Sequence, residues 1–129
     1  MLIILLVSGC TIPLQVKSQQ VKAISFNIGG SEFTNGENNS EYSWARRKQA
    51  VINMINKEQP HIIALQEVVI EQMAVLDRQY LRTYRRLGAG SVNGLSKGEH
   101  EAIYYDFNRI ELLKTRTIWV SPNIQTPSR

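Results

Sequence analysis

Cysteine is nearly absent from this chain: Cys10 is its only one. A single thiol excludes an internal disulfide framework and any Cys-rich zinc site. Four Pro and eight Gly in 129 residues exclude collagen-like and Pro-rich low-complexity chains. No apolar run is long enough to cross a bilayer as a helix. Acidic groups are outnumbered, 11 Asp+Glu against 15 Lys+Arg, giving a formal charge of +4. So mild a bias bears on solubility and steering more than on any one anionic partner. A Ser-His-Asp set, a P-loop and a Cys-x-x-Cys pair are all missing. What remains is 43% hydrophobic and 20% charged, the balance of a globular domain. The length fits one domain rather than two.

The N-terminus has its own character. Leu2 to Val7 is apolar, and Ser8, Gly9 and Cys10 follow. An apolar stretch closed by small residues is the pattern of a secretory signal. Val7-Ser8-Gly9-Cys10 resembles a bacterial lipobox, which implies acylation at Cys10, a lipid anchor in the membrane and a place in the bacterial cell envelope. Such signals normally open with Lys or Arg, and none precedes Lys17. The alternative is a buried N-terminal strand that happens to contain Cys10. Residues 1–10 are expected to be the signal, and the polar stretch 11–20 a tether.

From Val21 onward the pattern is that of a folded domain. Alternation over 21–28 predicts a strand closed by Gly29-Gly30, and the Gly-, Asn- and Ser-rich stretch 31–40 a loop. Trp44, Val51, Ile52 and Ile55 predict a helix over 44–58, with Ser43 as N-cap and Pro60 as its stop. The apolar run 61–67 predicts a buried strand. Val69, Met73, Leu76 and Tyr80 recur at helical spacing and predict a helix over 69–80. Further strands are expected over 83–87, 102–105 and 110–120, with a glycine-rich loop over 88–98. The order implies an α/β fold.

Two strand ends carry the chemistry: Ser25-Phe26-Asn27-Ile28 and Ala64-Leu65-Gln66-Glu67-Val68. With Gly98-Glu99-His100-Glu101-Ala102-Ile103-Tyr104-Tyr105, Ile110 to Leu113 and Thr117 to Pro122, these pieces resemble the endonuclease/exonuclease/phosphatase superfamily of DNase I-like enzymes. The resemblance covers 21–129 and implies the N-terminal half of a four-layer α/β/β/α sandwich. It implies a Mg²⁺- or Mn²⁺-dependent phosphoester hydrolase acting on nucleic acid, phospholipid or sugar or inositol phosphate. Glu67 would be a metal ligand, and Asn27 would orient substrate or metal-bound water. A carboxylate suits a hard cation that keeps sites for water and phosphate. Without that context, an exposed Glu at a strand end and a turn Asn before Gly29-Gly30 would be the simpler account of both. His61 stands where family members often carry Asp.

The second half of the family domain supplies a catalytic His, an Asp-x-Asn pair and a late Asp-His pair. None of these is expected after Glu67, so the chain is expected to be a truncated member, missing a C-terminal half-domain and almost inactive. The alternatives are a non-catalytic surface lipoprotein and a gene fragment. A half-sandwich would bare one sheet face, for which Ile24, Phe26, Ile63, Leu65, Ile103 and Tyr105 are candidates. Glu99, Glu101 and the cluster Arg78, Arg82, Arg85 and Arg86 are expected to be solvated edges.

Overall fold

The computed structural model describes residues 19–29 and 42–127. Cys10, the signal and most of the tether fall outside the described residues. The elements are β1 (Ala23–Asn27), α1 (Trp44–Glu58), β2 (Ile62–Val68), α2 (Ile70–Val75), a π-helical turn (Leu76–Tyr80), β3 (Tyr84–Leu87) and β4 (His100–Asp106). They build one sheet of order β1-β2-β4-β3. β1 and β2 are parallel and joined through α1, whereas β4 runs antiparallel to both β2 and β3.

Strand alternation decides which face is covered. Ile24, Phe26, Ile63, Leu65, Ala102 and Tyr104 belong to the core shared with Trp44, Ile52, Ile55, Met73 and Leu76 of the helices. In register with one another on the other face stand Ala23, Ser25 and Asn27, then Ile62, Ala64 and Gln66, then Ile103 and Tyr105. Of the six apolar residues proposed for a bared face, only Ile103 and Tyr105 lie there. The described residues thus form two layers, helices on one side of a mixed sheet.

Helix α1 ends as its sequence requires. Gln59 takes the left-handed conformation, its N–H bonds the Ile55 carbonyl at 2.8 Å, and Pro60 prevents another turn. Arg109 donates to the Gln59 and Pro60 carbonyls at 3.3 and 3.0 Å, and the Tyr84 hydroxyl also donates to Pro60. A cation at a helix C-terminus is favoured by the helix dipole. Lys22 closes the same end of the sheet, pairing with Glu58 at 2.8 Å and holding that carboxyl below its ordinary range.

Three expectations need correction. Ser43 occupies the N-cap position, but its side chain makes no capping bond. Its carbonyl alone does the work, accepting from the Arg46 and Arg47 N–H groups. The predicted 69–80 helix changes character after Val75, because Leu81 N–H reaches back five residues to the Leu76 carbonyl at 2.8 Å. Residues 110–120 form no strand. Alternating apolar residues mark what a strand could bury but do not supply an edge to pair with, and here Leu113 stays 87% exposed.

Met73 is fully buried at the centre of this packing. Met73→Ala is expected to destabilise the fold by about 2–5 kcal/mol, and Leu113→Ala by no more than about 0.5 kcal/mol. Urea unfolding of both variants checks the contrast.

Candidate active site at the carboxyl ends of the parallel strands

Asn27 pairs in register with Gln66, one residue before Glu67. Asn27 and Glu67 therefore end neighbouring parallel strands on the same side of the sheet, the place where open α/β sheets collect ligands. Asn27 Oδ1 accepts the Gly29 N–H at 2.7 Å, and Gly29 has φ 84°. Asn27 is thus a turn residue as well as a candidate site residue. Among the described residues its Nδ2 donor is left for another partner.

Glu67 sits on a β-bulge. Leu65 pairs with Ala102 and Val68 with His100, so Gln66 and Glu67 together face Glu101 alone. Glu67 has φ 57°, the left-handed region, which costs a residue with a side chain roughly 1–2 kcal/mol. Such strain concentrates where function needs a particular direction of side chain or backbone. Before the bulge, odd-numbered Ile63 and Leu65 are the buried ones; after it, even-numbered Val68 is. The phase of the strand flips at Glu67.

Two side chains that the sequence did not single out hold this end together. Gln72 is fully buried, accepts the Val69 N–H at 3.0 Å and donates to the Gly29 carbonyl at 3.2 Å. It bridges the segment just after Glu67 to the segment just after Asn27. No sequence signal marks it: with valine at the N-cap, only the return half of a capping box, from the Val69 N–H to Gln72, can form. Arg47 of α1 donates to the Ile28 carbonyl at 2.6 Å. Gln66 Nε2 ties β2 to Ser25 Oγ at 3.1 Å.

The remaining candidates sort by position. His100 is buried opposite Val68, and its Nε2 lies 3.2 Å from the Leu95 carbonyl, which anchors the glycine-rich loop. His61 lies at the other end of the sheet, where its Nδ1 accepts the Lys22 N–H at 2.9 Å. The expectation that no Asp-x-Asn follows Glu67 fails as a statement of sequence: Asp106-Phe107-Asn108 spells it. It fails to make a site, because it closes β4 beside His61, at the end remote from Asn27 and Glu67. Asp106 there binds Arg109 at 2.6 Å and the Asn108 N–H at 3.0 Å. Arg86 pairs with Asp77 at 3.4 Å and Arg85 stacks on Phe107, so the arginine cluster is a surface feature rather than part of the site.

Among the described residues, no group of three His, Cys, Asp or Glu side chains gathers to hold a metal. The donors present are oxygens: the Glu67 carboxylate and the Asn27 amide. One carboxylate beside an amide fits a hard divalent cation that takes most of its shell from water and phosphate, and does not fit a soft metal.

A mixed sheet with helices on one face and polar side chains at the ends of its parallel pair is the N-terminal arrangement of a DNase I-like α/β fold. A sequence profile of the Endonuclease/Exonuclease/phosphatase family matches residues 24–120, and the chain belongs to that family. A Bacteroides thetaiotaomicron mannosyl-6-phosphatase is similar in structure, with 24% identity and a TM-score of 0.75 over 84% of this chain and 40% of that one. A family protein from Bacteroides vulgatus gives 27% identity and 0.73 over 83% and 39%. A D. rerio TDP2 complexed with a single-strand DNA product gives 16% and 0.59 over 81% and 37%. The chain thus spans about two fifths of the length of these structures. No curated protein matches it.

The strain at Glu67 is testable without a substrate. Glu67→Gly is expected to keep or raise stability, by up to about 1 kcal/mol, because glycine accepts a positive φ. Glu67→Val is expected to lower it by about 1–3 kcal/mol. Urea midpoints of the two variants read the difference.

Proposed function

We propose that these residues are the first part of a metal-dependent phosphoester hydrolase. The observation that carries this is that Asn27 and the strained, bulged Glu67 end the neighbouring strands β1 and β2 at their carboxyl ends, in a chain of this family. Glu67, with Asn27 beside it, would hold Mg²⁺ or Mn²⁺. When bound, the cation supplies charge neutralisation at the phosphoryl oxygens. Asn27 Nδ2 donates to a phosphoryl oxygen and orients the group. The Gln72 and Arg47 bonds fix the Asn27 turn against Glu67, so little reorganisation is left for the reaction itself.

In the hydrolysis, a water oxygen forms a bond to phosphorus as the bond to the alcohol oxygen breaks in line with it. One water proton passes to a base, and the departing oxygen takes up a proton. No described side chain stands at this site as that base. The proposal therefore places the activating His and Asp, and the functional Asp-x-Asn, in sequence beyond these 129 residues. The chain alone is expected to turn over substrate barely, if at all. The mannosyl-6-phosphatase and TDP2 likenesses keep sugar phosphates and nucleic acid within the substrate class. On the lipobox pattern, the proposal also places the protein in the bacterial envelope, anchored through Cys10.

Cation binding tests the site directly. Mn²⁺ titrated into the full chain and followed by electron paramagnetic resonance should show bound metal that Glu67→Gln weakens at least about tenfold, the loss of one charged ligand contact. Equal binding by both proteins, or by neither, would remove Glu67 from the metal site. For the anchor, cells expressing the chain should incorporate labelled palmitate, and Cys10→Ala should abolish the label. Unlabelled wild-type protein would defeat that part of the proposal.

A further inference from the structure

Residues 77–86 hold four arginines, Arg78, Arg82, Arg85 and Arg86, and one acid, Asp77. The phosphoester site uses none of them. All four arginines are exposed, and three of them, Arg82, Arg85 and Arg86, line one cleft of about 370 Å³ at the sheet edge made by β3. The acids around this end of the sheet are already paired: Asp77 with Arg86, Asp106 with Arg109 and Glu58 with Lys22. Among the described residues no carboxylate pairs with Arg78, Arg82 or Arg85. Three positive charges therefore stand together without an internal counter-charge.

The register places this patch. Ala23 pairs with Ile62, Ile62 with Tyr105 and Tyr105 with Arg85, so Arg85 shares a row of the sheet with the first residue of β1. Three strand spacings, about 14 Å, separate the two. Arg82 comes just before β3, whose first residue pairs with Asp106 at this same end. The chain enters β1 here through Lys22, and the stretch 11–20 and Cys10 precede it. Asn27 stands four residues further along β1, about 13 Å toward the opposite end.

We propose that this patch is a docking surface for anionic phospholipid, and that it seats the amino end of the sheet on the membrane with the Asn27 and Glu67 end turned to the water. The inference rests on the Cys10 anchor for its context and on separate residues for its contact. Residues 11–20 can span at most about 35 Å, so an anchored domain stays within reach of lipid head groups. A basic cluster beside an anchor is drawn to phosphate-bearing lipid over roughly a Debye length, ~10 Å. A guanidinium can meet two phosphate oxygens at once through parallel N–H groups. A single-stranded nucleic acid would instead call for aromatic platforms beside the charge. Tyr80 and Tyr84 pack against the core, the Tyr84 hydroxyl donates to the Pro60 carbonyl, and Arg85 covers the Phe107 ring at 4.7 Å. Among the described residues of the patch no open ring is left, and a charged lipid surface needs none.

Vesicle flotation tests the surface. The full chain, synthesised cell-free and so unacylated, is mixed with vesicles of phosphatidylcholine alone and of phosphatidylcholine with phosphatidylglycerol. The ratio of the two partition coefficients is read, which cancels binding through the apolar N-terminus. At about 0.1 M salt the anionic vesicles should be preferred by about tenfold or more, and Arg78→Gln/Arg82→Gln/Arg85→Gln should abolish that preference. Removing as many charges elsewhere, in Arg46→Gln/Lys97→Gln/Arg116→Gln, should leave the ratio within about threefold. No preference in the wild-type chain, or equal losses in the two triple variants, would overturn the proposal. So would displacement of the bound chain by a single-stranded oligothymidylate at about a tenth of the vesicles' phosphate, which would favour a nucleic-acid partner. No acyl chain is present in these measurements, so a failure of palmitate labelling at Cys10 would defeat the anchor alone and leave the lipid surface standing.

Discussion

The geometry of the candidate site depends on one buried amide. Gln72 has no exposed surface, and its two ends bond the backbone just after Glu67 and just after Asn27. Each such bond contributes only about 0.5–1.5 kcal/mol net, yet breaking one leaves a buried backbone group unpaired at a cost of about 1–3 kcal/mol. The asymmetry makes the bridge an all-or-none device. While it holds, two strand ends that share no covalent link behave as one rigid edge. Arg47 adds a second strut from α1 to the Ile28 carbonyl. Both helices that cover the sheet thus also grip the turn that presents Asn27.

The two ends of the sheet are made differently. At the far end, Arg109, Tyr84, Asp106, His61 and Lys22 spend their polar groups on backbone carbonyls, an N–H and one another. Every partner is internal, which is what a structural clamp requires. At the carboxyl end, Gln72 and Arg47 satisfy the backbone, and among the described residues the Glu67 carboxylate and the Asn27 Nδ2 are left over. Asp106-Phe107-Asn108 makes the same point from the opposite direction. Its residue types match a catalytic pair, but its place in the register puts it in the clamp.

Much of this was legible in the sequence. The 3.6-residue stripe of Trp44, Ile52 and Ile55 bounded α1 at Trp44 and Glu58, with Pro60 as its stop; alternation placed β1, and the apolar run after Pro60 placed β2. The family motifs carried Asn27 and Glu67 to neighbouring strand ends, which no local pattern could have done. What escaped was non-local or a matter of phase. The open Ser43 hydroxyl, the π turn after Val75 and the Gln72 bridge each depend on which backbone groups tertiary packing leaves unpaired. The 110–120 stretch has strand composition, but strand formation needs a partner edge, and composition cannot report one.

The bulge at Glu67 belongs to that second class, and it explains why the site can exist. Ile63 and Leu65 point into the helices, so an unbroken period of two would send Glu67 after them into the core. An ionised carboxylate there would lose its water without gaining a partner, at a cost of several kcal/mol. The sheet avoids this with one extra residue. Glu67 absorbs the irregularity as a positive φ, Val68 takes the buried position, and the carboxylate is brought out of the core at the strand end. The strain of roughly 1–2 kcal/mol is smaller than the desolvation it replaces. The same extra residue leaves Glu101 as the sole residue opposite two. Any change that restored a regular ladder would return the carboxylate to the core side and remove it from the proposed cation site.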